Sequence, residues 1–369
     1  MPKGPTVYDV AERAGVSIAT VSFAFRRPEK VKASTRELVL AAARELGYVP
    51  SASARGLAHG RTRALGLFAF EYLLASADQP VVVPGVEPPA PPPAPPSAAD
   101  VDTDEDFRLF PLYVDEVQRG VELECWRQGY ALMIGGRGQA ATETVLADIA
   151  GRVDGLAVFP ATVPADALHR IAWRIPVVEL SEPDHDDQLS HVTVDNVAGM
   201  RAITEHLIVA HRLESLVFVG DTTGSDQQAR FQGFRAALRA AALRVPRKSL
   251  SGPGGVIANA AAVVRELRAR DRMPQAAVCA TDQEALALMD ALQAAGSAVP
   301  GDVAVTGFDG IAAGMIARPP LTTVRQPMEQ MGRAVVDILI DRIANPDGPR
   351  RNRQLPVRVV LRESCGCRP

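Results

Sequence analysis

From Ala64 onward the chain repeats one pattern, a short apolar run followed by a longer stretch with apolar residues every three or four positions. Strand candidates are 64–70, 130–134, 155–159, 176–180, 215–220, 276–280 and 303–308. Helices are expected near 114–128, 142–150, 196–210, 227–241, 256–269 and 282–295. Strands without polar alternation must be covered on both faces, so the pattern predicts parallel sheets with helices on each side, a doubly wound α/β arrangement. About 300 residues are too many for one such unit, so two similar subdomains with a cleft between them are expected.

The first 63 residues differ in charge. They hold eleven Lys and Arg against five Asp and Glu, within a chain whose net charge is -3. A basic head on an acidic body suits a polyanionic partner. Three short helices can be read there. Thr6 and Asp9 form a capping box before a helix with Val7, Val10, Ala11 and Ala14 on one face, closed by Gly15. Ser17 can cap a second helix running to about Phe25, with Val21 and Phe25 facing the core. Ser34 and Glu37 form another capping box, opening a third helix with a buried stripe of Leu38, Val39, Ala42 and Leu46 and a left-handed cap at Gly47.

Two helices joined by a short Gly-containing turn, with a third behind, make a helix-turn-helix whose second helix enters the major groove. On that helix Ser17, Ile18, Ala19, Ser22 and Phe23 lie on the exposed side. Small and apolar side chains there fit base edges and thymine methyls.

The run from Thr6 to Ser17, the Thr20-Val21-Ser22 triplet, Thr35-Arg36-Glu37, 46–50 and 54–58 resemble the headpiece of the lactose/purine repressor (LacI/GalR) family. The resemblance continues at 194–196, at 227–238 with Arg230 and Gly233, at 280–282, at 305–309 and at 320–326. It implies a transcriptional regulator, expected to be a repressor and not an enzyme, with a three-helix headpiece (1–50), a hinge helix and linker (51–63) and a periplasmic-binding-protein-like body (64–369). Subdomain N is expected at 64–194 plus 324–344, and subdomain C at 195–323 plus 345–369.

The expected DNA contacts are Thr6, Tyr8, Ser17, Ile18, Ala19, Thr20, Ser22, Phe23, Arg26, Ser34, Ser51, Ala54 and Leu57, with Leu57 at the position of the family's minor-groove wedge. Phe23 departs from the family, which usually has an arginine there to read guanine. The resemblance assigns Arg230 and Asp282 to effector contacts and makes Gln326 a further candidate. Arg offers a planar fork of donors, and Asp accepts from hydroxyls. The expected partners are a near-palindromic double-stranded operator, a small-molecule effector (a sugar or sugar derivative) and a second copy of the chain.

Residues 76–106 interrupt the first strand-to-helix loop with nine prolines and seven acids and no Lys or Arg, a composition that cannot bury a core and is expected to be disordered. The loose GxGxxA match at 136–141 is a weak nucleotide signal, and 182–187 reads as a solvated acidic loop. Cys365-Gly366-Cys367 could bind a soft metal, yet no partner ligands lie nearby in sequence, so neither metal nor cofactor is expected. No GxSxG elbow, Walker loop or HExxH helix occurs. No stretch approaches a membrane span, there is no signal-peptide pattern, and four cysteines do not make a disulfide framework, so a cytoplasmic location is expected.

Overall fold

The computed structural model describes residues 5–26, 28–48, 61–69, 112–135, 142–159, 163–183, 189–252, 255–270 and 272–368. Ser51, Ala54 and Leu57 of the expected hinge, the 76–106 insertion, the 136–141 match and most of the 182–187 loop lie outside them. The chain divides into two compact units, Met1–Arg63 and Ala64–Pro369.

In the first unit, helix α1 (Val7–Ala14) starts on the capping box: Thr6 N–H donates to Asp9 Oδ2 at 2.6 Å and Asp9 N–H to Thr6 Oγ1 at 3.4 Å. Gly15 (φ 64) ends it in the left-handed region, which costs glycine nothing. Ser17 Oγ accepts from Thr20 N–H at 3.1 Å and so opens helix α2 (Ile18–Arg26). Helix α3 (Ala33–Leu46) departs from expectation at its start. The Lys32 carbonyl already accepts from Arg36 N–H at 3.0 Å, which puts Ser34 inside the first turn instead of at the cap.

The buried stripe of α3 is Val39, Ala42 and Ala43, with Leu46 partly buried, while Leu38 lies one position off that stripe and is exposed. These residues close a small core with Val10, Ala11, Val21 and Ala24, and Phe25 packs against Tyr48 at 6.1 Å between ring centroids.

The second unit holds two sheets. Strands β1 (Ala64–Phe68), β2 (Ala131–Gly135), β3 (Gly155–Val158), β4 (Val177–Leu180), β5 (Ser190–Val194) and β10 (Asn352–Leu355) form one, in the order β10-β5-β4-β3-β1-β2, every pair parallel. Strands β6 (Leu216–Val219), β7 (Ala276–Cys279), β8 (Ala304–Asp309), β9 (Thr322–Arg325) and β11 (Arg358–Val360) form the other, in the order β11-β9-β8-β7-β6, with only β11 antiparallel.

Both faces of the first sheet are covered. Leu65, Leu67, Val178 and Leu180 point to helices α4 (Leu112–Gln128) and α12 (Met328–Ala344); Phe68, Leu156, Val158 and Val177 point to α5 (Thr142–Ala150) and α6 (Ala165–Ala172). Helices α4 and α12 approach closely at Gly120 and Gly332, where any side chain would meet the opposite backbone. Helices α7 (Asn196–His211) and α8 (Ser225–Ala240) pack together beside the second sheet, and α9 (Val256–Arg268) packs with α10 (Asp282–Ala294); the short α11 (Ala313–Ile316) follows β8.

Among the described residues the chain passes between the sheets three times, after β5, after β9 and between β10 and β11. The expectation that residues 345–369 belong wholly with subdomain C is corrected here. Residues 352–355 pair with β5 through the register Asn352↔His191 to Leu355↔Val194, so only the segment from β11 onward returns to the second sheet.

Candidate functional site

On the first unit, the face of α2 turned to solvent carries Ile18 and Phe23, each 42% exposed, together with exposed Ser17 and Ala19. The i, i+4 pairing that buries Val21 beside Phe25 forces this: the opposite side of a nine-residue helix has nothing to pack on. Tyr8, Thr6 and Ser34 are also exposed, and Thr20 and Ser22 are half-buried. The Thr6 and Ser17 hydroxyls are already engaged in capping. Lys30, Lys32 and Arg36 add exposed positive charge around the start of α3. Exposed apolar side chains on a helix suit base edges, and exposed cations elsewhere on the same unit suit phosphates.

On the second unit, a cavity of about 320 Å³ opens between the two sheets, in the range of small-molecule sites. Its lining comes from the segments after β3 (Phe159), β4 (Ser181), β6 (Asp221, Thr223) and β7 (Thr281) and from the last residue of β8 (Asp309), with Tyr113 from α4 and Asp226 and Arg230 from α8. The C-terminal ends of parallel strands converge here, where helix-covered sheets leave loops free to reach a ligand. Tyr113 stands edge-on to Phe159 at 6.2 Å, and its hydroxyl shares a 2.8 Å hydrogen bond with Ser181 Oγ.

Arg230 organises the floor. It lies well inside α8, about a turn and a half from its start, and is 3% exposed. Nε donates to Asn196 Oδ1 at 2.8 Å, Nη1 donates to the Ala280 carbonyl at 2.8 Å and pairs with Asp309 Oδ1 at 3.2 Å, and Nη2 stands 3.7 Å from Asp226 Oδ2. The guanidinium lies 3.9 Å above the Phe308 ring centroid. Asn196 in turn donates to Asp226 Oδ1 at 2.6 Å.

Asp309 holds a φ of 115°, a backbone region that side-chain-bearing residues rarely adopt, and strain of that kind gathers at ligand sites. Burial pushes its carboxyl up to about 6, against the pull of Arg230 and of the Gln326 hydrogen bond, with Asp226 repelling it further. Burial also raises Asp226. The floor is therefore rich in acceptors that lack enough cation to satisfy them.

The expected effector residues divide. Arg230 lines the cavity. Asp282 does not: it is 0% exposed, and its carboxylate accepts from Gly310 N–H (2.8 Å), Ile311 N–H (2.9 Å) and Thr323 Oγ1 (2.5 Å). It sits at the first position of α10 but turns into the β8–α11 loop, bracing the strained turn beside Asp309, while its neighbours Thr281 and Gln283 reach the cavity. Gln326 is equally buried and outside the lining; its Nε2 donates to Asp309 Oδ1 at 2.7 Å and its N–H to the Asp309 carbonyl at 2.9 Å. Asp282 and Gln326 thus position Asp309, which sequence reading left without a role although it closes the noted 305–309 run. Asp226, Asn196, Tyr113 and Ser181 carried no sequence signal beyond Asn196's place in the 194–196 match.

Residues 6–51 match the family model for bacterial regulatory proteins of the lacI family, and residues 204–365 match the periplasmic binding protein-like domain. The chain is 29% identical over 368 residues to the HTH-type transcriptional repressor PurR of Vibrio cholerae serotype O1 (strain M66-2), covering 97% of both chains. It is 27% identical over 369 residues to the ribose operon repressor of Escherichia coli (strain K12), covering 97% of this chain and 99% of the relative. Among solved structures, a complex of the transcriptional regulator CelR with cellobiose is 26% identical with a TM-score of 0.64, covering 98% of this chain and 99% of that one. The lac repressor dimer bound to operator and the anti-inducer ONPF shares the fold at 23% identity and a TM-score of 0.76, over 98% of this chain and 99% of that one. With a helix-turn-helix at its start and a periplasmic-binding-protein-like α/β fold behind it, the chain is homologous along nearly its whole length to DNA-binding transcriptional regulators of the LacI/GalR family.

Proposed function

We propose that this regulator is a repressor that grips a near-palindromic operator as a homodimer and whose grip is set by a small, hydroxyl-rich effector, a sugar or sugar derivative, held between the two sheets. The observation that carries the reading is the floor of the 320 Å³ cavity, where Asp226 and Asp309 stand around the single guanidinium of Arg230. Such a floor wants donors. Sugar hydroxyls supply them, and the aromatic edges of Tyr113 and Phe159 suit the apolar face of a sugar ring. CelR was solved with cellobiose, and another LacI-family regulator with ribose, which makes both molecules sensible first probes.

The dimer follows because one headpiece covers one half-site. Ile18, Ala19 and Phe23 read base edges, with Thr6, Tyr8, Ser17, Thr20, Ser22, Arg26 and Ser34 placing α2 in the groove. Ser51, Ala54 and Leu57 belong to the hinge, with Leu57 wedging into the minor groove at the operator centre. Control is linkage: an effector that prefers one arrangement of the two subdomains changes operator affinity by the ratio of its affinities for the two arrangements.

The test selects duplexes bound by the full chain from a random pool, then titrates them by fluorescence anisotropy with and without ribose, cellobiose, related sugars and nucleobases. A sugar that shifts affinity roughly 5–150-fold supports the reading. A response to nucleobases alone overturns the effector class, and selection of no sequence overturns operator recognition.

A further inference from the structure

The C-terminal Cys-Gly-Cys meets two histidines far away in sequence. After β11 the chain forms a 3-10 turn (Glu363–Cys365) anchored to the second sheet: Thr322 N–H donates to Ser364 Oγ at 2.8 Å, and Ser364 Oγ donates to the Val305 carbonyl at 2.6 Å. Gly366 then takes a φ of 99°, and this reversal brings both cysteine sulfurs toward the end of α7. His206 and His211 sit there, in the last two turns of the helix.

The four candidate ligand atoms all lie within 4.8 Å of one another. His206 Nε2 is 3.2 Å from His211 Nε2, Cys367 Sγ is 3.4 Å from each, and Cys365 Sγ is 3.9 Å from His206 Nε2. A tetrahedral zinc ion with nitrogens at about 2.0–2.1 Å and sulfurs at about 2.3 Å holds its ligand atoms roughly 3.3–3.8 Å apart. Four of the six spacings, 3.2, 3.4, 3.4 and 3.9 Å, fall within about 0.1 Å of that range, and the other two are no longer than 4.8 Å. Hydrogen bonding among the four groups would need one or two contacts and would not draw all four lone-pair atoms to one centre.

We propose that His206, His211, Cys365 and Cys367 form a closed, structural zinc site. Two imidazoles and two thiolates select zinc over magnesium or calcium, and four protein ligands leave no open position for catalysis. Thr322 Oγ1 stands 3.1 Å from Cys365 Sγ as an outer hydrogen-bond donor. The ion fastens the chain's C-terminal turn to α7. The other end of α7 begins with Asn196, which holds Arg230 at the cavity floor, so the site also stiffens the helix that supports effector recognition.

The experiment uses the full chain, kept reduced and stripped with chelator, and titrates it with zinc in competition with a chromophoric chelator. The expected result is one zinc per chain, a rise in melting temperature on adding zinc, and, with cobalt substituted, sulfur-to-metal charge-transfer and tetrahedral d–d bands. Cys367→Ala removes a half-buried ligand near the chain's end and leaves the core intact. It is expected to lower zinc affinity by more than the roughly 10–100-fold that an outer-shell change costs, and to abolish the zinc-dependent melting shift. His206→Ala gives a second, independent loss. Sub-stoichiometric zinc in the wild type, a cobalt spectrum without the sulfur band, or full affinity in Cys367→Ala overturns the proposal.

Discussion

The headpiece and the effector domain carry function in opposite ways. The headpiece closes its small core around Val10, Val21 and Val39 and leaves Ile18 and Phe23 in solvent, so the groups proposed to read DNA are apolar side chains that are exposed. The effector domain has apolar surface to spare for burial and uses it to bury charge: Arg230, Asp282 and Asp309 are all inside. Exposed apolar groups cost little stability and gain when DNA covers them. Buried charges are the reverse, costly unless every partner is present. Substitutions in the two regions should therefore separate binding from stability.

The largest expected effect is at Arg230. Replacing it with alanine leaves Asp226 and Asp309 buried without their cation, and should destabilise the effector domain by about 3–5 kcal/mol in chemical denaturation while removing the effector response. In the headpiece the exposed Arg13–Glu45 pair, at 2.8 Å, is the contrast, and Arg13→Ala should leave its unfolding midpoint unchanged.

Asp282→Ala comes next. Two backbone N–H groups and the Thr323 hydroxyl lose their acceptor, at about 1–3 kcal/mol for each group left unsatisfied, partly relieved by rearrangement. Asp309→Asn sharpens the distinction between a brace and a contact. It should keep the domain folded in the same denaturation experiment yet lose effector binding by calorimetry. Equal loss of binding in a fully stable Asp282→Ala protein would return Asp282 to the cavity.

Phe23→Ala should leave headpiece stability unchanged and weaken operator binding by about 1 kcal/mol, roughly fivefold, since the ring is already partly covered in the free protein. Phenylalanine cannot donate to guanine and is expected to pack instead on a thymine methyl, so Phe23→Arg should move the preferred base toward guanine in binding-site selection. If the wild type and this variant select the same sites, the orientation of α2 in the groove is wrong.

A separate effect is a pH slope. Asp309 keeps its proton to about 6 in the folded protein, whereas an unfolded aspartate ionises near its ordinary value of 3.8. The folded state therefore holds the extra proton, and the stability this group contributes is lost as pH rises from about 4 to about 6. Melting temperatures of wild type and Asp309→Asn, compared across that window, should converge at the acid end and diverge by a few degrees toward neutrality, with the variant the more stable.

What could be read in the sequence was local or periodic. The Thr6–Asp9 capping box, the glycine caps and the apolar runs of β1, β3 and β7 depend on neighbours a few residues apart, and the structure shows all of them. Strands β5 (Ser-His-Val-Thr-Val) and β10 (Asn-Arg-Gln-Leu) carry polar residues in strand positions and gave no apolar run to find. The lysine-led start of α3 hid behind a capping pattern two residues too late. That Asp309 lines the cavity while Asp282 turns away rests on contacts between distant segments and on an Asp309 φ of 115°, and composition does not encode either. The histidine partners of the Cys-Gly-Cys lie more than 150 positions away, beyond any spacing rule.

The claim that the buried cavity governs the exposed reading face is tested most directly by one paired titration. Operator affinity is measured by anisotropy for wild type and Asp309→Asn, each with and without a sugar shown by calorimetry to bind the wild type. The expected result is an affinity change of roughly 5–150-fold in the wild type and none in Asp309→Asn, with equal affinities in the absence of sugar. A sugar that binds the wild type and leaves its operator affinity untouched, or that shifts both proteins alike, would contradict the account.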